Sequence, residues 1–305
     1  LADIPIKRVF ESIVRLRNYD PDTADLSARD KTVVAELVND RMIEAWTHDF
    51  WDELMLVEQR QYRASWDATL LYSENDEVYY EDSDGEGSYY VASSLADNTN
   101  KQPDTETTFW SVVGDGFVRS ISFTQSGESK IGYIDVSGSV FDRDPRIYRD
   151  TQPLSDIGIL GSNIIVRTTT APLKPWIKFL PPARTYSWTD WDATTAYAVG
   201  DTAYLSSAGD SYTAIASSTG KTPDQQTAYW EPTQFPDMFI TFIKHATNAD
   251  QIQEDAEVAG RENAIADRAL ANLQDRKTDL QGLRRRVVWS SSPTPVLRVV
   301  GSASS

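Results

Sequence analysis

The sequence predicts an α+β protein: a discontinuous helical bundle from the N- and C-terminal parts, with a β-rich insert and two small three-stranded modules between them. Three observations predict it. Helical periodicity is confined to the two ends, a duplicated aromatic pattern occupies two separate stretches, and loosely alternating apolar residues lie between those stretches. The boundaries read as an N-terminal helical part over 1–65, a first aromatic module over 66–110 and a β-rich insert over 111–185. A second module over 186–232, a C-terminal helical part over 233–286 and an extended tail over 287–305 follow.

The N-terminal part carries a capping-box sequence, Ser27-Ala28-Arg29-Asp30, which favours a helix start. Val34, Val38, Met42, Trp46, Phe50 and Leu54 then recur every four residues, predicting an amphipathic helix with a bulky face.

The modules are an internal repeat. One copy runs Trp66-Asp67-Ala68-Thr69, Asp76-Glu77-Val78-Tyr79, Tyr90-Val91-Ala92, Lys101-Gln102-Pro103-Asp104 and Trp110. The other runs Trp191-Asp192-Ala193-Thr194, Asp201-Thr202-Ala203-Tyr204, Tyr212-Thr213-Ala214, Lys221-Thr222-Pro223-Asp224 and Trp230. The copies lie 125 residues apart at the first tryptophan and 120 at the last, so the first has five more loop residues. Turn-rich linkers (Asp82 to Gly87, Ser206 to Asp210) predict a hairpin in each. A unit this small buries little surface by itself, which makes Trp66, Trp110, Trp191 and Trp230 structural before anything else. Between the copies, Val118, Ile121, Phe123, Ile131, Tyr133, Ile134 and Val136 alternate loosely with polar residues, as strands do.

In the C-terminal part Ile252, Ala256, Ala259, Asn263, Ala266, Leu270, Leu273, Lys277 and Leu280 follow spacings of four and three. That is a heptad seam, and its alanines permit close approach. It predicts tight antiparallel packing against the N-terminal helix or a neighbouring subunit, or packing within the chain alone. The polar tail from Val287 is by itself read as disordered or extended.

Composition narrows the function. With no cysteine there is no disulfide, thiolate metal site or cysteine nucleophile. A formal net charge of −17 opposes a DNA-gripping face. No apolar run approaches the ~20 residues of a membrane span, and no basic start followed by an apolar stretch marks a signal peptide. Gly220-Lys221-Thr222 lacks the upstream glycine of a phosphate loop, Ile215 standing there, and is a repeat turn. Asp82, Asp84 and Glu86 imitate half a calcium loop, but Ser93 replaces its closing glutamate. Thr213 stands where a nucleophile elbow ending Gly209-Asp210-Ser211-Tyr212 needs glycine, and the two histidines, His48 and His245, are far apart. No catalytic residue, metal site or cofactor is therefore expected. Asp142-Arg143-Asp144-Pro145-Arg146 is either a self-satisfied turn or a recognition loop.

The module pattern resembles small chitin- and cellulose-binding modules, best in the second copy with Gly200-Asp201 and Tyr204. That resemblance makes Tyr79, Tyr90, Tyr204 and Tyr212 candidate glycan contacts. The chain as a whole resembles the adaptor (head–tail connector) proteins of tailed bacteriophages. The likeness rests on the element order, on Asp142 to Arg146, on Trp176-Ile177-Lys178-Phe179-Leu180-Pro181-Pro182, and on Phe235-Pro236 followed by an Ala-rich helix over 246–286.

This resemblance implies a structural virion protein of the neck, made in the host cytoplasm. Copies would form a ring, a dodecamer like the portal, that joins the portal to the next tail or nozzle protein and continues the DNA channel. DNA would pass without sequence recognition, and no membrane would be involved. Ile252, Ala256, Ala259, Ala266, Leu270, Leu273 and Leu280 would pack the helical body. Arg284, Arg285, Arg286, Val287, Val288, Trp289, Val296 and Leu297 would dock on the portal. The competing expectation is a glycan-binding protein, from a tail fibre or secreted, in which the modules are the active part.

Overall fold

The computed structural model describes residues 3–16, 26–93, 98–114, 118–125, 128–148, 150–168, 172–252 and 255–286, with backbone only over 277–286. The fold is α+β, with four helices and small antiparallel sheets among the described residues. The chain runs β1 (Asp3–Ile4), α1 (Ile6–Leu16), α2 (Ala28–His48), β2 (Leu56–Gln59), then the hairpin β3 (Glu77–Glu81) and β4 (Gly87–Ala92) with β5 (Trp110–Val112). Next come β6 (Ser120–Ser122), β7 (Val140–Phe141), β8 (Ile157–Leu160), β9 (Asn163–Val166) and β10 (Trp176–Phe179). The last stretch holds β11 (Ala196–Tyr197), β12 (Thr202–Leu205), β13 (Asp210–Ala214), β14 (Ser218–Thr219), β15 (Trp230–Pro232), β16 (Phe235–Pro236), α3 (Ile240–Gln251) and α4 (Ala256–Arg286).

Two compact units result: Leu1–Ala45 with Thr185–Ser305, and Trp46–Arg184. In the first, the N-terminal segment meets the C-terminal part of the chain. β1 pairs with β16, Ile4 opposite Phe235, and α1 buries Ile6, Val9, Phe10, Ile13 and Val14. Buried Val34, Val38 and Met42 of α2 and Phe242, Ile243 and Ala246 of α3 belong to the same unit. The capping box forms as read: Asp30 N–H donates to Ser27 Oγ (3.2 Å), and Ser27 N–H to the Asp30 carboxylate (3.3 Å). Asn39 and Tyr186 exchange two hydrogen bonds (2.8 and 3.0 Å), tying the segment that enters the second module to α2.

Two helix expectations need correction. The four-residue spacing predicts α2 through Leu54, but the helix ends at His48. Asp49 Oδ1 accepts the Phe50 N–H (2.6 Å), and a turn closed by Leu54 N–H to Trp51 O (2.9 Å) buries Trp51 and Leu54 instead. The single Ala-rich helix of 246–286 is two helices. Ile252 leaves helical geometry (φ −101°, ψ 45°), and α4 restarts with Asp255 Oδ1 accepting the Val258 N–H (3.1 Å). The seam then packs chiefly on α3 within the chain, a partner the heptad pattern did not single out. Ala266 and Leu270 are buried and Ala259 and Leu273 half-buried. Ile252 caps α3 and Ala256 is exposed, because both fall at the break rather than on the packed face. The side chain of Leu280 lies outside the described residues.

The second unit is built on two three-stranded sheets, ordered β2-β10-β7 and β6-β9-β8, around Ile121, Ile131, Ile134, Val140, Ile164, Val166, Ile177 and Phe179. The Trp176 to Pro182 stretch is the central strand β10 and its continuation. Leu180 O accepts N–H bonds from Gly132 (3.0 Å) and Tyr133 (2.9 Å), and a Cβ on Gly132 would sit 2.6 Å from Pro182 N. Only glycine fits that approach. Of the loosely alternating set, Val118 and Tyr133 are exposed. Arg60 is fully buried here, over the Phe179 ring (5.1 Å), with Glu58 and Glu128 each at 3.0 Å.

Candidate functional site on the aromatic modules

The repeat read from sequence is a repeat of hydrogen bonds. Trp66 N–H donates to Tyr79 O (2.8 Å) as Trp191 N–H does to Tyr204 O (2.7 Å). Asn75 and Gly200, both at positive φ (70° and 93°), donate to Ala92 O and Ala214 O at 2.9 and 2.8 Å. Asp67 and Asp192 each fold back on the Thr two residues later, and their N–H groups donate to the hydroxyls of Tyr72 (2.6 Å) and Tyr197 (3.0 Å). Asn75 replaces the second copy's glycine because asparagine tolerates the left-handed region better than most residues.

Trp110 and Trp230 are the centres. Each is buried, donates Nε1–H to Lys101 O (2.8 Å) or Lys221 O (2.9 Å), and meets Tyr72 or Tyr197 edge-to-face at 5.2 or 5.0 Å. Trp66 and Trp191 close the clusters from the side. The structural reading of all four tryptophans therefore holds.

Each module is sewn into its own unit through one face of its hairpin. Tyr79 and Tyr89 enter the core of the second unit, where Tyr89 donates to Leu173 O (2.6 Å) and receives the Tyr62 N–H (3.0 Å). Lys174 lies over the Tyr79 ring (4.5 Å) and bonds Glu81. In the first unit Asp210 Oδ1 accepts the Ile6 N–H (3.2 Å), Gly209 O the Lys7 N–H (3.3 Å), and Ser211 Oγ the Ser187 N–H (3.2 Å). Burial, then Glu11, Asp190 and Asp210, push the Tyr204 phenol up to about 12.

This corrects the candidate glycan contacts. Tyr79 and Tyr204 are each 5% exposed and Tyr212 8%, so none offers a ring face to a sugar. Of the four only Tyr90 is half-exposed. It belongs to a row that the sequence reading missed: Trp66 meets Tyr80 at 5.6 Å and 81°, and Tyr80 meets Tyr90 at 6.3 Å and 75°. The signal was present in the doublets Tyr79-Tyr80 and Tyr89-Tyr90. Strand neighbours point to opposite faces, so Tyr79 and Tyr89 enter the core of the unit while Tyr80 and Tyr90 lie half-exposed on the face of the module's own tryptophan cluster. The second module has Tyr204-Leu205 and Ser211-Tyr212 there, and both Leu205 and Tyr212 are buried.

The other singled-out features resolve differently. Asp82 Oδ1 accepts the N–H groups of Asp84 (3.0 Å) and Glu86 (2.9 Å), an Asx-type hairpin turn with Gly85 at φ 82°. Asp144, nearly buried, grips Arg146 through Nε (3.0 Å) and Nη2 (2.8 Å), and Arg146 lies over Trp176 (5.5 Å). Arg146 holds the Asp144 carboxyl below its usual range. The Asp142 to Arg146 string is thus a self-satisfied turn, one that also presents Ile147 and Tyr148 to solvent. His245 Nδ1 lies 2.6 Å from Glu262 Oε2 between α3 and α4; His48 is exposed. Arg284, Arg285 and Arg286 end α4, their side chains outside the described residues, as are Val287, Val288, Trp289, Val296 and Leu297. No group of three His, Cys, Asp or Glu among the described residues is arranged to hold a metal, and no described helix is long and apolar enough to cross a membrane.

No protein-family model, curated protein or solved structure matches the chain.

Proposed function

We propose that the protein is a non-enzymatic structural subunit of a tailed-bacteriophage neck, an adaptor whose copies form a ring joining the portal to the tail and continuing the DNA channel. The observation that carries this reading is the architecture of the first unit. Both chain ends build it, and α4 runs 31 residues against a 12-residue α3. At about 1.5 Å per residue α4 spans roughly 46 Å and α3 roughly 18 Å. The far end of α4 therefore outruns its partner and carries the backbone of Arg284 to Arg286 beyond α3. An extended tail adding main-chain hydrogen bonds to a neighbour is a common docking mode. The net charge of −17 suits a wall along which DNA slides without adhering.

The glycan-binding alternative loses most of the residues it rested on, since Tyr79, Tyr204 and Tyr212 face inward. The test is co-assembly with the portal protein of the source phage, imaged by electron microscopy. A ring stacked on the portal, abolished by deleting residues 287–305, is the expected outcome. Absence of any association at micromolar concentrations sinks the adaptor reading.

A further inference from the structure

The duplication supplies an internal control that isolates what the first module does and the second does not. Residues 66–110 hold eleven acidic residues and one basic, a net of −10, whereas residues 191–230 hold four and one, a net of −3. More than half of the chain's −17 thus sits on one small module. That module also keeps the half-exposed row Trp66, Tyr80 and Tyr90, where the second has buried Leu205 and Tyr212. Asp82 follows Tyr80 by two residues, on the side of the strand that Tyr80 occupies. Both Tyr80 and Tyr90 have their phenols raised, by burial first and then by Asp104 and Asp82, so both carboxylates are within electrostatic reach of both hydroxyls.

Elsewhere the protein covers its rings with its own cations: Lys101 over Phe109, Lys221 over Tyr229, Arg143 over Tyr148, Lys174 over Tyr79. Among the described residues none lies over Trp66, Tyr80 or Tyr90, and none is ion-paired with Asp82 or Asp104. Residues 94–97 include no basic residue either. The module's one lysine, Lys101, is already engaged with Phe109 and Glu106.

Ring geometry separates two chemistries. A flat pyranose chain such as chitin stacks best on successive ring faces that share a plane. Here neighbouring rings stand at 81° and 75°, each turning an edge to the next. Such a corner offers separate π-faces beside carboxylates, which is what a cation takes. A guanidinium, planar and weakly hydrated, stacks on an aromatic face while donating to carboxylates, which an ammonium does less well.

We infer that the corner formed by Trp66, Tyr80, Tyr90, Asp82 and Asp104 is an interaction surface for an arginine-bearing segment of a partner protein. The basis is charge complementarity with a module carrying −10, and the inference stands whether or not the protein forms a ring.

The test uses the full chain with tetra-arginine, tetralysine and chitohexaose as probes, titrated calorimetrically at physiological salt. Tetra-arginine is expected to bind at least about fivefold more tightly than tetralysine. Tyr80→Leu with Tyr90→Ala leaves the net charge unchanged and is expected to weaken tetra-arginine about 10-fold. Leucine at the first of these positions is already accommodated by the second module, as Leu205, and circular dichroism checks that the double variant folds. Asp104→Asn, which leaves the rings intact, is expected to weaken tetra-arginine as well. Equal binding of both peptides, unchanged by the tyrosine substitutions, means diffuse charge alone and overturns the proposal. Chitohexaose binding lost in the same variants overturns it in favour of a sugar site.

Discussion

Glu262 is nearly buried between α3 and α4, where His245 Nδ1 approaches within 2.6 Å. Burial by itself raises its pKa, but hydrogen bonds from His245 and Asn248 outweigh that and hold it below the ordinary glutamate value. A carboxyl with a depressed folded pKa contributes stability above its unfolded pKa, and that stability is lost as pH falls through the folded value. Glu262→Gln is therefore expected to cost about 1–3 kcal/mol at neutral pH, with the difference from the parent shrinking once the pH falls below the ordinary glutamate range. Urea midpoints at pH 7 and at acid pH read this directly; a constant difference at both would contradict it. Gly132 is the complementary steric case. Gly132→Ala drives a Cβ into the Pro181–Pro182 backbone, which cannot swing aside as a side chain would. A loss of about 1–3 kcal/mol is expected from thermal unfolding.

At the scale of elements, the reading from sequence succeeds where a pattern is local and repeated. The capping box at Ser27, the hairpins and the tryptophan centres of both modules were legible because each rests on contacts within about 45 residues. It fails where an end or an inward direction is decided by distant packing. The spacing of Phe50 and Leu54 continues the helical pattern, yet tertiary burial of Trp51 stops α2 at His48. The seam through Ile252 and Ala256 ignores the break, because nothing periodic marks Asp255 as a new N-cap. Which tyrosine of each doublet enters the core of the unit and which stays half-exposed is likewise set by the body on which the hairpin lies. Asp255→Ala removes the carboxylate that accepts the Val258 N–H. It is expected to cost about 0.5–2 kcal/mol, and hydrogen exchange should show faster opening confined to the first turn of α4. Faster exchange throughout α3 as well would mean that the two helices unfold as one.

For the whole molecule, the discontinuity of the first unit makes a sharp demand on the N-terminal segment. Residues 3–16 contribute β1, which pairs with β16, and α1, whose five buried apolar side chains pack within the unit that also holds the second module and α3. Fully burying one such side chain stabilises by about 1.5–3 kcal/mol, so losing five costs about 7.5–15 kcal/mol, as much as the about 5–15 kcal/mol that holds an ordinary domain together. The Ile6 N–H bond to Asp210 and the Lys7 N–H bond to Gly209 disappear with them. Deleting residues 1–16 is thus expected to raise hydrogen exchange across 185–270, including the second module, although that module keeps its own Trp230 centre. Residues 46–184 form their own core around Ile121, Val140, Ile164, Ile177 and Phe179 and should retain protection. If the second module kept full protection after the deletion, it would be self-standing, and its hydrogen bonds to α1 would be dispensable. If 46–184 lost protection too, the chain would fold as one cooperative body, and substitutions in either unit would propagate to the other.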